Sequence, residues 1–316
     1  MKTCRHLVFV LGDQLDENSA AFADFDLSQD RVFMAEVREE STHVWSTKPR
    51  TAFFFAAMRH FSALLQTRKI AVDYQRIGSH GFVSLIAALA DAITREAIAD
   101  VNKHFADHPG TLVEFAWPVT RKDALRALKS FTGERLKHFG EYQDAMWANE
   151  PFLYHAHISA ALNVKLLHPR EVINAALTAL NEGIAPIEAV EGFVRQVLGW
   201  REFIRGIYWL EMPGMRQANH FRHERNLPAW YWTADTHMNC MRQTITQTLE
   251  HGYAHHIQRL MVKGIFGLLA ETRPQELEDW YLAVYVDAVE WVELPNVAGM
   301  ALFANNGRFT LSMKKC

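Results

Sequence analysis

Apolar positions fall into two regimes along this chain. Leu7–Leu11 is a continuous apolar run ending in Gly12-Asp13-Gln14, the pattern of a buried parallel strand that turns at its C-terminal edge. Val32–Val37 reads as a second strand with Glu36 near its end, and Ile70–Ile77 alternates as a third. Between them, Arg50–Arg68 places Phe54, Met58, Phe61 and Leu65 at helical spacing, as a crossover helix does. Strand, crossover and strand predict a doubly wound parallel sheet, and such sheets take ligands outside the C-terminal strand ends, where Gly12, Asp13, Gln14 and Glu36 fall. No GxGxxG occurs, so a dinucleotide fingerprint is not supported, and a tight turn is the simpler account of Gly12-Asp13.

The strands then stop. Phe82–Ala106 and nearly everything after Thr120 have helical periodicity. Asp123–Phe139 is amphipathic, His168-Pro169 opens a helix through Leu180, and Ile187–Leu210 forms another that Met212-Pro213-Gly214 ends. Asn226–Thr236 reads as a Trp- and Pro-bearing loop. Cys240–Val262 reads as two helices around a Gly252 hinge, the second carrying His255–His256, whose side chains diverge by about 100°. A helix from Pro274 through Glu290 follows, and Leu294-Pro295-Asn296 ends it. The fold class expected is therefore α/β plus all-α, with a sheet of only three strands, short for a doubly wound domain.

Bulk properties narrow the function. At 316 residues there is room for two domains, and a net charge of −3 leaves no protein-wide basic field, so nucleic acid could bind only through a local patch. The three cysteines, Cys4, Cys240 and Cys316, are odd in number and far apart, which excludes a disulfide framework and suits a reducing cytosol. The short N-terminal apolar run does not read as a signal segment, and no run is long enough to span a bilayer; a cytoplasmic protein is expected. Seven of the nine tryptophans lie between Trp147 and Trp291, which implies either a large aromatic core or a cavity for a flat cofactor.

Four local patterns carry chemistry. In His157-Ile-Ser159-Ala160-Ala-Leu162-Asn163 a serine and small residues start a helix, an arrangement that can expose backbone N–H groups to an anion but is equally an ordinary N-cap. Arg201 and Glu202 interrupt an apolar helix, so each needs a partner or a ligand. Asp287, Glu290 and Glu293 recur at intervals of three in an apolar, aromatic stretch and are expected on one helical face or its end. His255–His256 are adjacent imidazoles that can exchange protons near neutral pH, with a surface pair as the plainer alternative.

Taken together, GDQL, MAEV, YQDAMW, SAALN, LGWREFIRG, NCMRQTITQTLEHGYAHHIQRLMV and WYLAVYVDAVEWVELPN closely resemble the photolyase/cryptochrome family, in its bacterial iron–sulfur branch of prokaryotic (6-4) photolyases, over most of the chain and in the same order. The resemblance implies a partial α/β antenna domain over 1–85, a connector over 86–119 and a helical FAD-binding domain over 120–316. It implies FAD held by Ser159, Ala160, Leu162, Asn163, Arg201, Asp287, Glu293 and Asn296, with Glu293 facing the flavin ring. It makes Trp232, Trp280 and Tyr281 an electron-transfer chain and His255 and His256 the lesion-site histidines. Gly12, Asp13, Gln14 and Glu36 become the site of a ribityl-lumazine antenna, and Cys240 the first ligand of a 4Fe–4S cluster. Damaged DNA is the implied partner of a monomer, with Arg216, Arg222, Arg225 and Arg259 as phosphate contacts or, equally, solvated surface.

Two departures qualify that picture. Gly78–Ala90 runs almost directly into Asp91-Ala-Ile-Thr-Arg-Glu96, so a large internal piece of the antenna domain is absent, and the family continues past Asn296 to three further cluster cysteines not matched here. The expectation is a light-driven repair protein, with a non-enzymatic blue-light receptor or an inactive fragment as the other readings.

Overall fold

The computed structural model describes residues 4–36, 46–76, 92–113, 115–306 and 308. Three parallel strands, β1 (Leu7–Phe9), β2 (Arg31–Ala35) and β3 (Val72–Gln75), form a sheet in the order β1-β2-β3, with Leu7 opposite Arg31 and Val32 opposite Val72. Helix α1 (Lys48–Thr67) crosses from β2 to β3; Thr47 caps it by accepting the Arg50 N–H, and Pro49 lies in its first turn. Phe53, Phe55, Met58, Phe61 and Leu65 of α1 bury against Val10, Val32 and Met34. Helix α2 (Ala92–His104) packs on α1; the expected helical stretch before it, over 82–91, lies outside the described residues.

Two expectations for this sheet are corrected. Leu7, Phe9 and Leu11 are 45%, 64% and 51% exposed, so β1 is an uncovered edge strand and not a strand buried on both faces. Glu36 does not line an open crevice. It is buried, its two oxygens 2.5 and 2.7 Å from the Arg59 guanidinium, which also reaches Asp100 at 2.5 Å, and Tyr74 donates to it at 2.8 Å. Burial alone would weaken the charge on Arg59, but Glu36 and Asp100 outweigh it and hold the guanidinium cationic. This cluster ties β2, β3, α1 and α2 together. Gly12 is set by packing, since a Cβ there would lie 3.0 Å from Phe54 and 3.3 Å from Met58.

The remainder is helical. Helix α3 (Arg121–Ser130) runs through a π-turn (Phe131–Arg135) into α4 (Leu136–Tyr142), followed by α5 (Ser159–Asn163) and α6 (Pro169–Asn181). Helix α7 (Ile187–Val194), a π-turn (Arg195–Trp200) and α8 (Arg201–Glu211) make one long rod. Helix α9 (Asn239–His251) ends at Gly252 with φ +61, and a wide-turn segment (Ile257–Gly264) leads to α10 (Ile265–Leu269). Last come α11 (Pro274–Val284), α12 (Glu290–Pro295) and a π segment (Asn296–Ala301). The single helix expected from Pro274 to Glu290 breaks at Tyr285, and Pro295 lies inside the last helical run rather than ending it.

Two apolar cores result. One joins the sheet, α1 and α2 to Phe131, Leu136, Leu162, Val172, Phe193 and Val197. The other gathers Tyr231, Ile245, Leu260, Trp280, Tyr281, Tyr285 and Val297. The start of α1 latches onto the turn after α11: the Thr47 N–H donates to the Ala283 carbonyl at 2.8 Å, its hydroxyl to Val284 at 3.1 Å, and Arg50 to the Ala288 carbonyl at 3.2 Å. Among the described residues, no helix is long and apolar enough to cross a membrane.

Replacing Arg59 with Met leaves Glu36 and Asp100 buried without a counter-charge. The expected loss is about 3–5 kcal/mol in chemical denaturation; a loss below about 1 kcal/mol contradicts the role given to this cluster.

Candidate functional site

A cleft of about 650 Å³ opens where the two cores meet. Ser159, Leu162, Asn163, Arg201, His255, His256, Asp287, Glu293 and Asn296 all line it. These residues come from five separate stretches of chain, and the fold brings them to one cleft.

Asp287 is the hub. Ser159 Oγ donates to its Oδ2 at 2.6 Å, and Asn163 Nδ2 donates to its backbone carbonyl at 2.7 Å. The Arg259 guanidinium grips both of its oxygens, at 2.9 and 3.1 Å, and reaches Glu293 at 3.4 Å. Arg259 Nε donates to the Ala254 carbonyl at 2.6 Å, and the guanidinium lies 3.9 Å from the centroid of the Tyr285 ring. Arg259 therefore faces inward and is not a phosphate contact. Of the other arginines singled out, Arg216 pairs with Asp279 and Arg225 with Glu271, while Arg222 enters no ion pair among the described residues.

The serine-led helix differs from expectation. Ile158 is its N-cap, and the Ser159 hydroxyl is spent on Asp287 rather than on a cap. Ala160 is fully buried behind the wall. Arg201 lies 4.7 Å from the Trp291 ring and reaches Glu202 at 3.1 Å, and burial is the chief influence lowering its pKa. Across the cleft, Trp200 Nε1 donates to Asn296 Oδ1 at 3.1 Å, so this tryptophan and Trp291 belong to the cavity while Trp280 belongs to the core. The three carboxylates do not share one face: Glu290 is exposed and accepts from Tyr208 at 2.9 Å, leaving Asp287 and Glu293 to meet at Arg259.

The two histidines part company. His255 precedes the helix; its Nε2–H donates to the Gln143 carbonyl, its Nδ1 accepts from the Ile257 N–H at 3.3 Å, and burial lowers its pKa. It is a pinned, neutral wall residue. His256 is exposed at the rim. Trp232, Trp280 and Tyr281 do not line the cleft. The Trp232 and Trp280 centroids are 6.5 Å apart, Trp280 is 6.0 Å from Tyr285, and the Tyr281 hydroxyl donates to the Arg259 carbonyl, so the aromatic series runs behind the Arg259 wall.

His157, which leads the serine-initiated segment, lines the cleft, as do His155 and Tyr253, neither of which the sequence patterns had marked. Of the expected antenna set Gly12, Asp13, Gln14 and Glu36, the Glu36 carboxylate is engaged by Arg59 and Tyr74 and does not fit a role in holding a chromophore. Cys240 is exposed and unpaired, no three His, Cys, Asp or Glu side chains converge as metal ligands among the described residues, and three cysteines do not match a cluster held by four thiolates.

Burial raises Glu293 to about 7; Arg259 opposes the rise and Asp287 adds to it. Between about pH 4.5 and 7 the folded chain thus keeps a proton that the unfolded chain releases, and this group's contribution to stability falls as pH rises. Glu293→Gln removes that titration. Its stability relative to the parent should increase across this window in denaturation midpoints taken at successive pH values, whereas a pH-independent difference contradicts the assignment.

Residues 8–90 match the family described as deoxyribodipyrimidine photo-lyase-related protein. A (6-4) photolyase of Agrobacterium fabrum is 36% identical, covering 95% of this chain and 82% of the relative; the alignment spans 414 positions, more than the chain's 316 residues, so the relative carries inserted segments. In three dimensions, a bacterial class III photolyase from Agrobacterium tumefaciens aligns with a TM-score of 0.59 at 16% identity, over 96% of this chain and 81% of the other. A Synechocystis cryptochrome aligns at 0.65 and 13% identity, over 95% and 83%. An α/β portion followed by helices, a cleft wall assembled from SAALN, WREF, HHIQR and DAVEWVELPN, and this co-linear identity lead to one conclusion: the chain belongs to the photolyase/cryptochrome family.

Proposed function

We propose that this chain is a flavin-dependent, light-driven DNA repair protein of the (6-4) photolyase type, acting on a flipped-out pyrimidine lesion. The observation that carries the proposal is the convergence of Ser159, Asn163, Arg201, Asp287, Glu293 and Asn296 on one cleft, with His256 at its rim. The donor set suits FAD: Arg201 Nε and both ring nitrogens of His155 are buried without a hydrogen-bond partner, and Trp200 and Trp291 offer aromatic walls. Ser159, Leu162, Asn163, Arg201, Asp287, Glu293 and Asn296 would hold the cofactor. A bound flavin supplies the photoexcited electron that opens the lesion.

The chain's own residues do the rest. Arg201 places a desolvated positive charge where an anionic group is favoured. Arg259 fixes Asp287 and, through it, Ser159 and Asn163, so the polar wall is organised before a ligand arrives. Glu293, raised to about 7, holds a proton at its carboxyl near neutrality. His256 is the imidazole assigned to proton transfer at the mouth, because His255 is tied at both nitrogens; burial, then His255, lowers the His256 pKa and favours its neutral form. Trp232, Trp280 and Tyr285 form an aromatic path from a half-buried position to the ring beneath Arg259. A damaged, poorly stacked base costs least to flip, which adds selectivity.

The purified protein should show a flavin absorption spectrum and repair a (6-4) oligonucleotide only in light. His256→Ala should keep the flavin and lose about 100-fold or more of the repair rate. Absence of flavin overturns the proposal. Bound flavin with no repair in the parent chain supports the photoreceptor reading instead, and retained repair in His256→Ala removes the proton role.

A further inference from the structure

His155 is only 6% exposed and lines the cleft, yet neither of its ring nitrogens has a hydrogen-bond partner among the described residues. Buried polar groups are normally paired, and both nitrogens of one ring left buried and unpaired beside a cavity are an exception that calls for a partner. The ring is not loosely placed. It stacks on His255 with centroids 4.4 Å apart and planes 8° from parallel, and the Tyr253 ring is 6.1 Å away. His255 is itself fixed by Gln143 and Ile257, so the stack presents the His155 edge in a set direction.

The surroundings select the kind of occupant. Burial holds His155 neutral, its pKa pushed down to about 3, and the chargeable neighbours His255, His157 and Arg135 act in the same direction. A neutral imidazole carries one donor and one acceptor and gains little from an anion. Its natural match is a flat, uncharged ring with donors and acceptors on its edge. The adjoining aromatic surface of Tyr253 and His157, centroids 5.4 Å apart, suits a planar ligand.

We propose that His155 is a base-reading residue, hydrogen-bonding the polar edge of a nucleobase bound in the cleft. The inference rests on the flavin-repair reading above and adds a contact to it. Two sources share this chemistry: the adenine of a dinucleotide cofactor, and a base extruded from DNA.

His155→Phe keeps a stacking ring and removes both nitrogens, while His155→Asn restores one donor and one acceptor. Two titrations separate the sources: FAD added to flavin-stripped full-length protein, followed by flavin fluorescence, and a labelled (6-4) oligonucleotide added in the dark to flavin-loaded protein, followed by anisotropy. His155→Phe should weaken one of these about tenfold, the loss expected of a single neutral hydrogen bond. His155→Asn should recover part of that loss, and the thermal midpoint of His155→Phe should not fall, because no intramolecular hydrogen bond is removed. A change in the FAD titration assigns the base to the cofactor, and a change in the DNA titration assigns it to the lesion strand. Unchanged affinity in both titrations, in a parent protein that binds both ligands, overturns this inference and leaves the repair reading standing. A parent protein that binds neither overturns both.

Discussion

One buried guanidinium organises the cleft. Arg259 holds both oxygens of Asp287, reaches Glu293, bonds the Ala254 carbonyl and lies on the Tyr285 ring. It thereby joins the segment after Gly252, the turn after α11 and helix α12, and Asp287 extends the set to Ser159 and Asn163 on α5. Burial disfavours its charge, but Asp287 and Glu293 more than compensate, so it stays cationic at any ordinary pH. A buried ion cluster of this kind adds little net stability over an apolar filling, yet losing one member strands the others. Its contribution is geometric: it holds two acidic side chains in a cavity that would otherwise expel them.

The rest of the fold positions that cluster. Gly252 takes the left-handed conformation that turns the chain from α9 toward His255, and a Cβ there would lie 2.7 Å from Val286. The latch between Thr47, Arg50 and the 283–288 turn fixes the backbone that carries Asp287 from the far side. Three wide helical turns, at Arg195–Trp200, Ile257–Gly264 and Asn296–Ala301, each contribute to the cleft lining. Such turns shift side-chain phase within a helix and recur at functional sites. The α/β portion thus supports the site even though its strand-end Glu36 is committed to Arg59 and Tyr74.

Much of this was legible in residue order, and the misses have physical causes. A continuous apolar run at Leu7–Leu11, alternation at Ile70–Ile77 and helical periodicity elsewhere marked most of the strands and helices, because burial patterns are local. Motif resemblance identified most of the cleft wall, since those residues act as groups. What periodicity could not show was long-range partnership. Glu36 reads as a strand-end ligand residue until Arg59 and Tyr74 are seen to consume it. Arg259 reads as a surface cation beside the histidines until Asp287, nearly thirty residues later, turns it inward. Spacing put Asp287, Glu290 and Glu293 on one helical face, but the chain breaks at Tyr285, and β-branched Val284, Val286 and Val289 around it favour extended backbone. His155 escaped notice because a lone histidine beside a helix start carries no signal until its neighbours are known.

The central claim is that Arg259 arranges the cleft for an FAD-like ligand. The most direct measurement is an FAD titration of flavin-stripped protein, comparing the parent with Arg259→Lys. Lysine keeps the positive charge but lacks the planar fork that donates to Asp287, Glu293 and the Ala254 carbonyl at once. The account predicts that Arg259→Lys stays folded and binds FAD at least about tenfold more weakly. Equal affinity in the two proteins would contradict it.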